Sequence, residues 1–350
     1  IFKKINSIDK SKYIFRENYL SVFDLIFSLL HIYRKKKFVS KHKKFNRWNL
    51  SPIVNGEINS SENYYSAVIG VANLRFFENL NKKKIHLSKI ISLFENQAAS
   101  RGWCYGSRKF FSEIDNIGYQ GYFNYSQFLN SHPCIYEEKA KILPKEIAII
   151  SKYFKKNKRE FFPRVKLILA PPLNFKIEQK NLIKKNKYVM VLILSGIKEI
   201  DRKLIFWCLK FLEEDKNIKL VIKFHPISHP DNFELNIINN FKGRVIISKQ
   251  DIDSLLNESK IIISSGPTSS IYEALFKKCY LLIPVFDPCD RLNIENCKIP
   301  KQNYELVYNF QKFRYKLKYM LKKINNKKLI MVKNHLIFKN DNSKILNIFK

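Results

Sequence analysis

Three short segments of this 350-residue chain carry residues able to grip a phosphate ester. The densest is Ser264-Ser265-Gly266-Pro267-Thr268-Ser269-Ser270, where small hydroxyls surround a glycine that permits close backbone approach. A helix starting at its end would add unsatisfied N–H groups and a dipole that favours an anion. The alternative is a cluster that only caps the helix, for which one hydroxyl suffices. His225-Pro226, preceded by Lys223, is the second segment. Its imidazole either donates to a phosphate oxygen and offsets charge on a leaving group, or sits satisfied in a turn. Ser195-Gly196 is the third. Glu273, one turn past Ser270, either accepts from a ribose or complements the helix terminus. The candidate ligand contacts are thus Ser195, Gly196, Lys223, His225, Pro226, Ser265, Gly266, Thr268, Ser269, Ser270 and Glu273.

These segments share one position in a repeating pattern. Continuous apolar runs at 188–194, 218–224, 244–247, 260–264 and 280–284 read as strands buried on both faces. Helical stretches at about 199–214, 233–240, 251–257 and 270–277 separate them. Strands alternating with helices predict a parallel, doubly wound sheet, whose ligands bind beyond the carboxyl ends of the strands. All three segments follow predicted strands. The first half repeats the logic less regularly, with strands at 90–94, 116–122, 147–150 and 165–169. An amphipathic helix is expected at about 16–37, a turn-rich segment at 41–61, and a helix from Ser60 or Ser61 to about Leu80. The expected division is an N-terminal domain at 1–172, a Lys-rich linker at 173–187 after Ala170-Pro171-Pro172, and a C-terminal domain at 188–350 ending in helices. The chain opens on Ile1, so an incomplete N-terminal domain is expected.

Composition narrows the partners. The chain is 45% hydrophobic and 14% aromatic, a globular composition. Its formal net charge is +34. The excess is chiefly lysine, spread along the whole length and rising with Asn and Ile, as under an AT-rich coding bias. Surface solvation therefore accounts for it better than a polyanion site, and no nucleic-acid partner is expected. Scattered lysines still attract an anionic membrane surface. None of the six cysteines shows CxxC spacing, and Cys208 and Cys279 lie in apolar runs. A reduced, cytoplasmic setting follows, peripheral at the inner membrane face where lysines meet lipid. The longest apolar stretch, 19–33, contains Asp24 and His31 and falls short of the ~20 residues that span a bilayer.

Lys223-Phe224-His225-Pro226, followed by Ser264-Ser265-Gly266-Pro267-Thr268-Ser269-Ser270-Ile271-Tyr272-Glu273-Ala274-Leu275, resembles the donor half of bacterial GT-B glycosyltransferases, in particular His-Pro-motif sialyltransferases and capsule Kdo transferases. Phe94-Glu95-Asn96-Gln97, Ile117-Gly118-Tyr119-Gln120-Gly121 and Ala170-Pro171-Pro172-Leu173-Asn174-Phe175 resemble a family of surface-carbohydrate biosynthesis proteins. In that family a Trp follows the first element closely and a His follows the second. Here Ala98-Ala99 and Gly121 stand there, with Trp103 further on.

The resemblance implies an α/β fold of two Rossmann-like domains and transfer of a sugar from a nucleotide donor, with a CMP-activated nonulosonate or Kdo as the favoured class. The acceptor would be a surface glycan or lipid-linked glycan of capsule or lipopolysaccharide type. It implies His225 and the Ser/Thr loop on the donor phosphate, Glu273 near the ribose, and neither a metal nor a cofactor beyond the nucleotide sugar. Glu95, at a strand end, is the candidate general base for the acceptor hydroxyl; the alternative is that it hydrogen-bonds a loop. UDP-sugar 2-epimerases and polyol-phosphate transferases share the architecture. A non-catalytic basic binding protein is the remaining alternative, and it would bind with steep salt dependence.

Overall fold

The computed structural model describes residues 14–35, 44–45, 47–123, 129–173, 188–265, 268–287, 294–295 and 299–323. The expected helix at 16–37 is instead broken. A 3-10 turn at Arg16–Tyr19 precedes α1 (Val22–Leu29) and α2 (His31–Lys35). Ser21 causes the first break: its hydroxyl accepts from the Asp24 N–H while the Asp24 carboxylate accepts from the Ser21 N–H, a reciprocal cap. The segment read as turns holds a two-stranded hairpin, β1 (Lys44–Phe45) with β2 (Trp48–Asn49), and then α3 (Ser51–Asn59). Pro52 lies in the first turn of α3, where its missing N–H costs nothing, so it starts a helix that composition alone hides.

The long α4 (Ser61–Lys82) leads into the first sheet. That sheet comprises β3 (Lys89–Leu93), β4 (Asp115–Gln120), β5 (Glu146–Ile149) and β6 (Leu167–Leu169), all parallel and adjacent in chain order. Its connections carry α5 (Ala98–Phe110), α6 (Ile135–Lys139) and α7 (Lys155–Arg159). α4 and α5 cross at glycines: a Cβ on Gly70 would lie 2.6 Å from the Ala98 carbonyl oxygen, and one on Gly102 would overlap the Gly70 carbonyl. Beside the crossing, Trp103 stacks on Phe76 at 5.8 Å between centroids and meets Phe77 edge-on at 4.7 Å.

The second sheet is built from β7 (Tyr188–Ile193), β8 (Leu220–Lys223), β9 (Val245–Ile247), β10 (Ser259–Ile263), β11 (Tyr280–Pro284) and β12 (Tyr304–Val307). Its spatial order is β12-β11-β10-β7-β8-β9, and every pairing is parallel. The chain runs from the centre to one edge, returns to the centre at β10, and runs to the other edge. This is the doubly wound dinucleotide-fold order. Four helices cover it: α8 (Lys198–Glu214), α9 (Asn232–Asn239), α10 (Ile252–Asn257) and α11 (Ser270–Phe276). α12 (Phe310–Lys323) closes the series after β12.

The sequence pattern yields the first five strands of this sheet but not β12, whose Glu305 interrupts the apolar run. The expected linker, apart from Leu173, lies outside the described residues. Met190, Leu192, Ile261, Ile263 and Leu282 are fully buried on one face of the sheet; Val191, Ile262, Leu281 and Ile283 are fully buried on the other. That two-sided burial is why these runs are uninterrupted.

One consequence of the glycine crossing is testable. Ala gains about 1 kcal/mol of helix propensity over Gly, but overpacking costs ~1–3 kcal/mol, and here the added methyl meets rigid backbone. Gly102→Ala is therefore expected to lose stability in urea unfolding; an equal or more stable variant would show that the helices can move apart freely.

Candidate functional site

The order of the second sheet reverses between β7 and β10, and there the loops after the two strands diverge to opposite faces and leave a crevice. Ser195-Gly196 follows β7 and Ser264 onward follows β10. The Ser264 hydroxyl donates to the Ile193 carbonyl at 2.9 Å, which locks the two strand ends together. Next to it Ser265 is 0% exposed, and its hydroxyl has no hydrogen-bond partner among the described residues. A buried, unsatisfied hydroxyl is costly unless something completes it. Gly266 and Pro267 lie outside the described residues.

Beyond them, the Thr268 hydroxyl is 3.2 Å from the Ser270 hydroxyl and accepts weakly from the Ser270 N–H. Ser269 precedes α11 with a helical backbone and no capping bond to it. Its hydroxyl instead donates to Glu273 Oε1 at 3.3 Å. Burial raises the Glu273 carboxyl above its ordinary range; the Ser269 bond and Lys277 oppose this, and Asp253 adds to it. Glu273 thus lies among Ser269, Asp253 and Lys277, and Lys277 is itself paired with Asp253 at 2.7 Å.

His225 completes this rim from the next strand. Gly196 adopts φ +88, and a Cβ there would lie 3.1 Å from His225 Cγ and Nδ1, so glycine is what lets the imidazole lie against the β7 loop. The Ile227 N–H donates to His225 Nδ1 at 3.4 Å, an arrangement that leaves Nε2 to carry an N–H and donate. The sequence-predicted imidazole and the Ser/Thr loop therefore flank the same strand, β7, at its carboxyl end.

Several predicted contacts serve other ends. The N–H groups of Ser195 and Gly196 donate to the two oxygens of Asp201 at 2.8 Å each, and the Ser195 hydroxyl adds a third bond. Asp201, in the first turn of α8, already occupies the place that an external anion would take. These two residues shape the crevice rather than offer it donors. Burial raises the Asp201 carboxyl, against the lowering effect of those bonds. Lys223 Nζ donates to the Gln250 carbonyl at 2.6 Å, and Pro226 is exposed. Asp201 was missed because one Asp in a helix reads as surface; its spacing from Ser195-Gly196, in the first turn of the next helix, was the available signal.

In the first sheet, Glu95 follows β3 and is half-buried, accepting from Gln97 Nε2 at 3.0 Å. Asn96 is buried at φ +56, and with Arg101 it binds the Glu137 carboxylate. The Glu-Asn-Gln element is thus partly a structural turn. Tyr122, two residues past β4, donates its hydroxyl to the carbonyl of Phe94, the neighbour of Glu95, at 3.3 Å; burial, reinforced by the Glu95 charge, raises that hydroxyl. Tyr119 OH donates to the Pro171 carbonyl at 2.7 Å and accepts from the Leu173 N–H, so it ties the Gly-Tyr-Gln element to the Ala-Pro-Pro element. Phe123, just past β4, stacks on Tyr272 of α11 with centroids 3.9 Å apart and planes 10° apart. The helix that starts at the Ser/Thr loop is thereby braced on the first sheet.

The same strand end holds groups that the sequence reading passed over. Gln120 Nε2 and Lys158 Nζ both donate to the Ser131 carbonyl, and Lys158 also reaches the Ser131 hydroxyl at 3.1 Å. Beside them His132 is buried, with neither ring nitrogen partnered among the described residues. Burial lowers its pKa, Lys158 lowers it further, and Glu160 opposes.

No protein-family model matches the chain, and no curated protein matches it in sequence. Among solved structures it is similar to a candidate UDP-N-acetylglucosamine 2-epimerase from Listeria monocytogenes, with TM-score 0.50 and 11% identity over 77% of this chain and 73% of that one. A glycosyltransferase from Rickettsia africae aligns with TM-score 0.48 and 17% identity, over 78% and 75%. S. aureus TarM aligns with TM-score 0.49 and 16% identity, over 79% of this chain but 58% of that one. The α/β fold with two parallel Rossmann-like sheets is the architecture expected from the sequence.

Burial pushes the Lys158 amine down to about 7 from 10.5. Between these values the unfolded chain holds a proton that the folded chain has released, so the wild type gains stability as pH rises through that window. The stability of Lys158→Met minus wild type should fall between about pH 7 and about pH 10.5, by at most ~1.4 kcal/mol per pH unit. A pH-independent difference in chemical denaturation would contradict it.

Proposed function

We propose that the chain is a glycosyltransferase that holds a nucleotide sugar at the β7–β10 crevice and passes the sugar to a glycan or lipid-linked glycan. The observation that carries this reading is the unpartnered, fully buried Ser265 hydroxyl at the carboxyl end of β10, with His225 against Gly196 one strand away. Ligands of doubly wound sheets bind at that position. The phosphate next to the sugar would complete Ser265 and take a bond from His225 Nε2, with the Thr268–Ser270 hydroxyls and the start of α11 alongside.

As the glycosidic bond to phosphate breaks, negative charge grows on the leaving oxygen. A donor fixed in a partly dry site stabilises that charge without reorganising. The protein groups named here supply that stabilisation with no metal in the scheme. Glu95, at the opposing strand end, is the proposed base for the acceptor hydroxyl. The proposed donor is a CMP-activated acidic sugar, a nonulosonate or Kdo, on the strength of the His-Pro and Ser/Thr motifs. The acceptor is a capsule or lipopolysaccharide glycan at the inner face of the membrane.

The structural likeness to a candidate 2-epimerase favours one second reading, inversion at a sugar carbon of a UDP-sugar in the same crevice. Product analysis separates the two: a transferase makes a new glycoside and free nucleotide, whereas an epimerase changes the sugar with no acceptor present.

Two outcomes test the main reading. CMP, UDP or GDP should raise the melting temperature, because a ligand that binds only the folded state stabilises it. No response to any of the three counts against a nucleotide site. With the cognate donor, His225→Ala should lower turnover by roughly 10²–10³, and an unchanged rate would remove His225 from the mechanism.

A further inference from the structure

Helix α1 is packed inside out. Among its residues only Asp24 and Ser28 are buried, whereas Val22, Phe23, Leu25, Ile26, Phe27 and Leu29 are all exposed. Phe23 is 82% exposed and Asp24 only 4%. An ordinary surface helix turns its apolar stripe to the core and its acids to water. Here the polar stripe is what holds the helix down: Arg75 Nε of α4 donates to Asp24 Oδ1 at 2.7 Å, Asn79 Nδ2 donates to Oδ2 at 2.9 Å, and the Ser28 hydroxyl donates to the Asp24 carbonyl. Burial opposes ionisation of Asp24, but the bonds from Ser21, Arg75 and Asn79 outweigh it and hold the carboxyl well below its usual range. The anchor is therefore charged, and it fixes the apolar face outward. Tyr33, Trp48 and Ile53, on the following elements, are also exposed.

We infer that this face docks on an anionic lipid surface, with α1 lying in the plane of the headgroups. Exposed apolar surface on this scale marks an interaction site. Charge identifies the partner. By sequence, residues 1–60 hold thirteen Lys and Arg against four Asp and Glu, and the acid of α1 itself, Asp24, is buried. Cations border the aromatic groups of the face: the Arg34 guanidinium lies 4.1 Å over the Phe27 ring and Arg47 lies 5.6 Å over Trp48. Phe, Ile and Leu beside Trp, Tyr and Arg match the depth profile of a headgroup boundary. A second copy of the chain fits poorly on the same face, since each copy carries a net charge of +34 and repels the other. α1 has eight residues, too few to cross a bilayer, and therefore lies along the surface in this proposal. The inference is independent of the nucleotide site and survives if that reading fails.

The test is co-sedimentation of the full chain with vesicles of phosphatidylcholine alone and of equal parts phosphatidylcholine and phosphatidylglycerol. The chain should partition onto the mixed vesicles and stay in solution with the neutral ones. Phe23→Glu with Ile26→Glu, both at exposed positions, should lower that partition at least about tenfold without changing the melting temperature. Trp48 fluorescence gives a second readout that needs no variant of α1: mixed vesicles should shift the emission to the blue, and Trp48→Phe should abolish the shift. Wild-type protein that ignores mixed vesicles, a doubly substituted protein that binds as well as wild type, or a blue shift that persists in Trp48→Phe would each overturn the proposal. A lipid-free dimer that the double substitution dissolves would overturn it too, in favour of a second copy.

Discussion

The parallel pairing of β7 with β10 is the constraint on which the rest of the molecule depends. It sets Ile263 opposite Leu192 and Ile261 opposite Met190. Because β8 lies on the other side of β7, the chain must leave the sheet in opposite directions after its two central strands. The crevice between those exits is a product of topology and does not depend on the identity of any loop residue. What the loops contribute is chemistry: a hydroxyl in Ser264 that fastens the strand ends, a second in Ser265 left unsatisfied, and an imidazole brought close by the absence of a side chain on Gly196.

The two sides of the crevice differ in how their polar groups are satisfied. On the β7 side, Asp201 takes the free N–H groups of Ser195 and Gly196. On the β10 side the loop retains an open hydroxyl and enters a short helix whose Ser269 makes no cap. A carboxylate fixed on one side occupies that wall, so on the proposed reading a ligand phosphate would lie against the other. The stack of Phe123 on Tyr272 braces that other side, since α11 cannot shift without disturbing the first sheet.

The sequence was most informative where burial is two-sided. Uninterrupted apolar runs located five strands of the second sheet, and the rule that ligands bind beyond strand ends then pointed to the rim where His225 and Ser265 lie. It was least informative where one polar residue changes the packing. Glu305 hid β12, and Asp24 reversed the sense of α1, because periodicity shows that a helix is amphipathic but not which face the protein keeps. The candidate site divides in the same way. Small hydroxyls next to a glycine are legible as a motif, whereas the capture of two amides by Asp201, or of Lys223 by the Gln250 carbonyl, depends on distances across the chain. Lys158 read as one lysine among many in a basic helix, yet it is fully buried over Ser131.

The most direct measurement is a crystal structure with a bound nucleotide. A phosphate oxygen should lie within hydrogen-bond reach, roughly 2.6–3.2 Å, of both Ser265 Oγ and His225 Nε2. A nucleotide bound elsewhere on the chain, or a crevice in which Ser265 stays unpartnered while the phosphate contacts other groups, would contradict it.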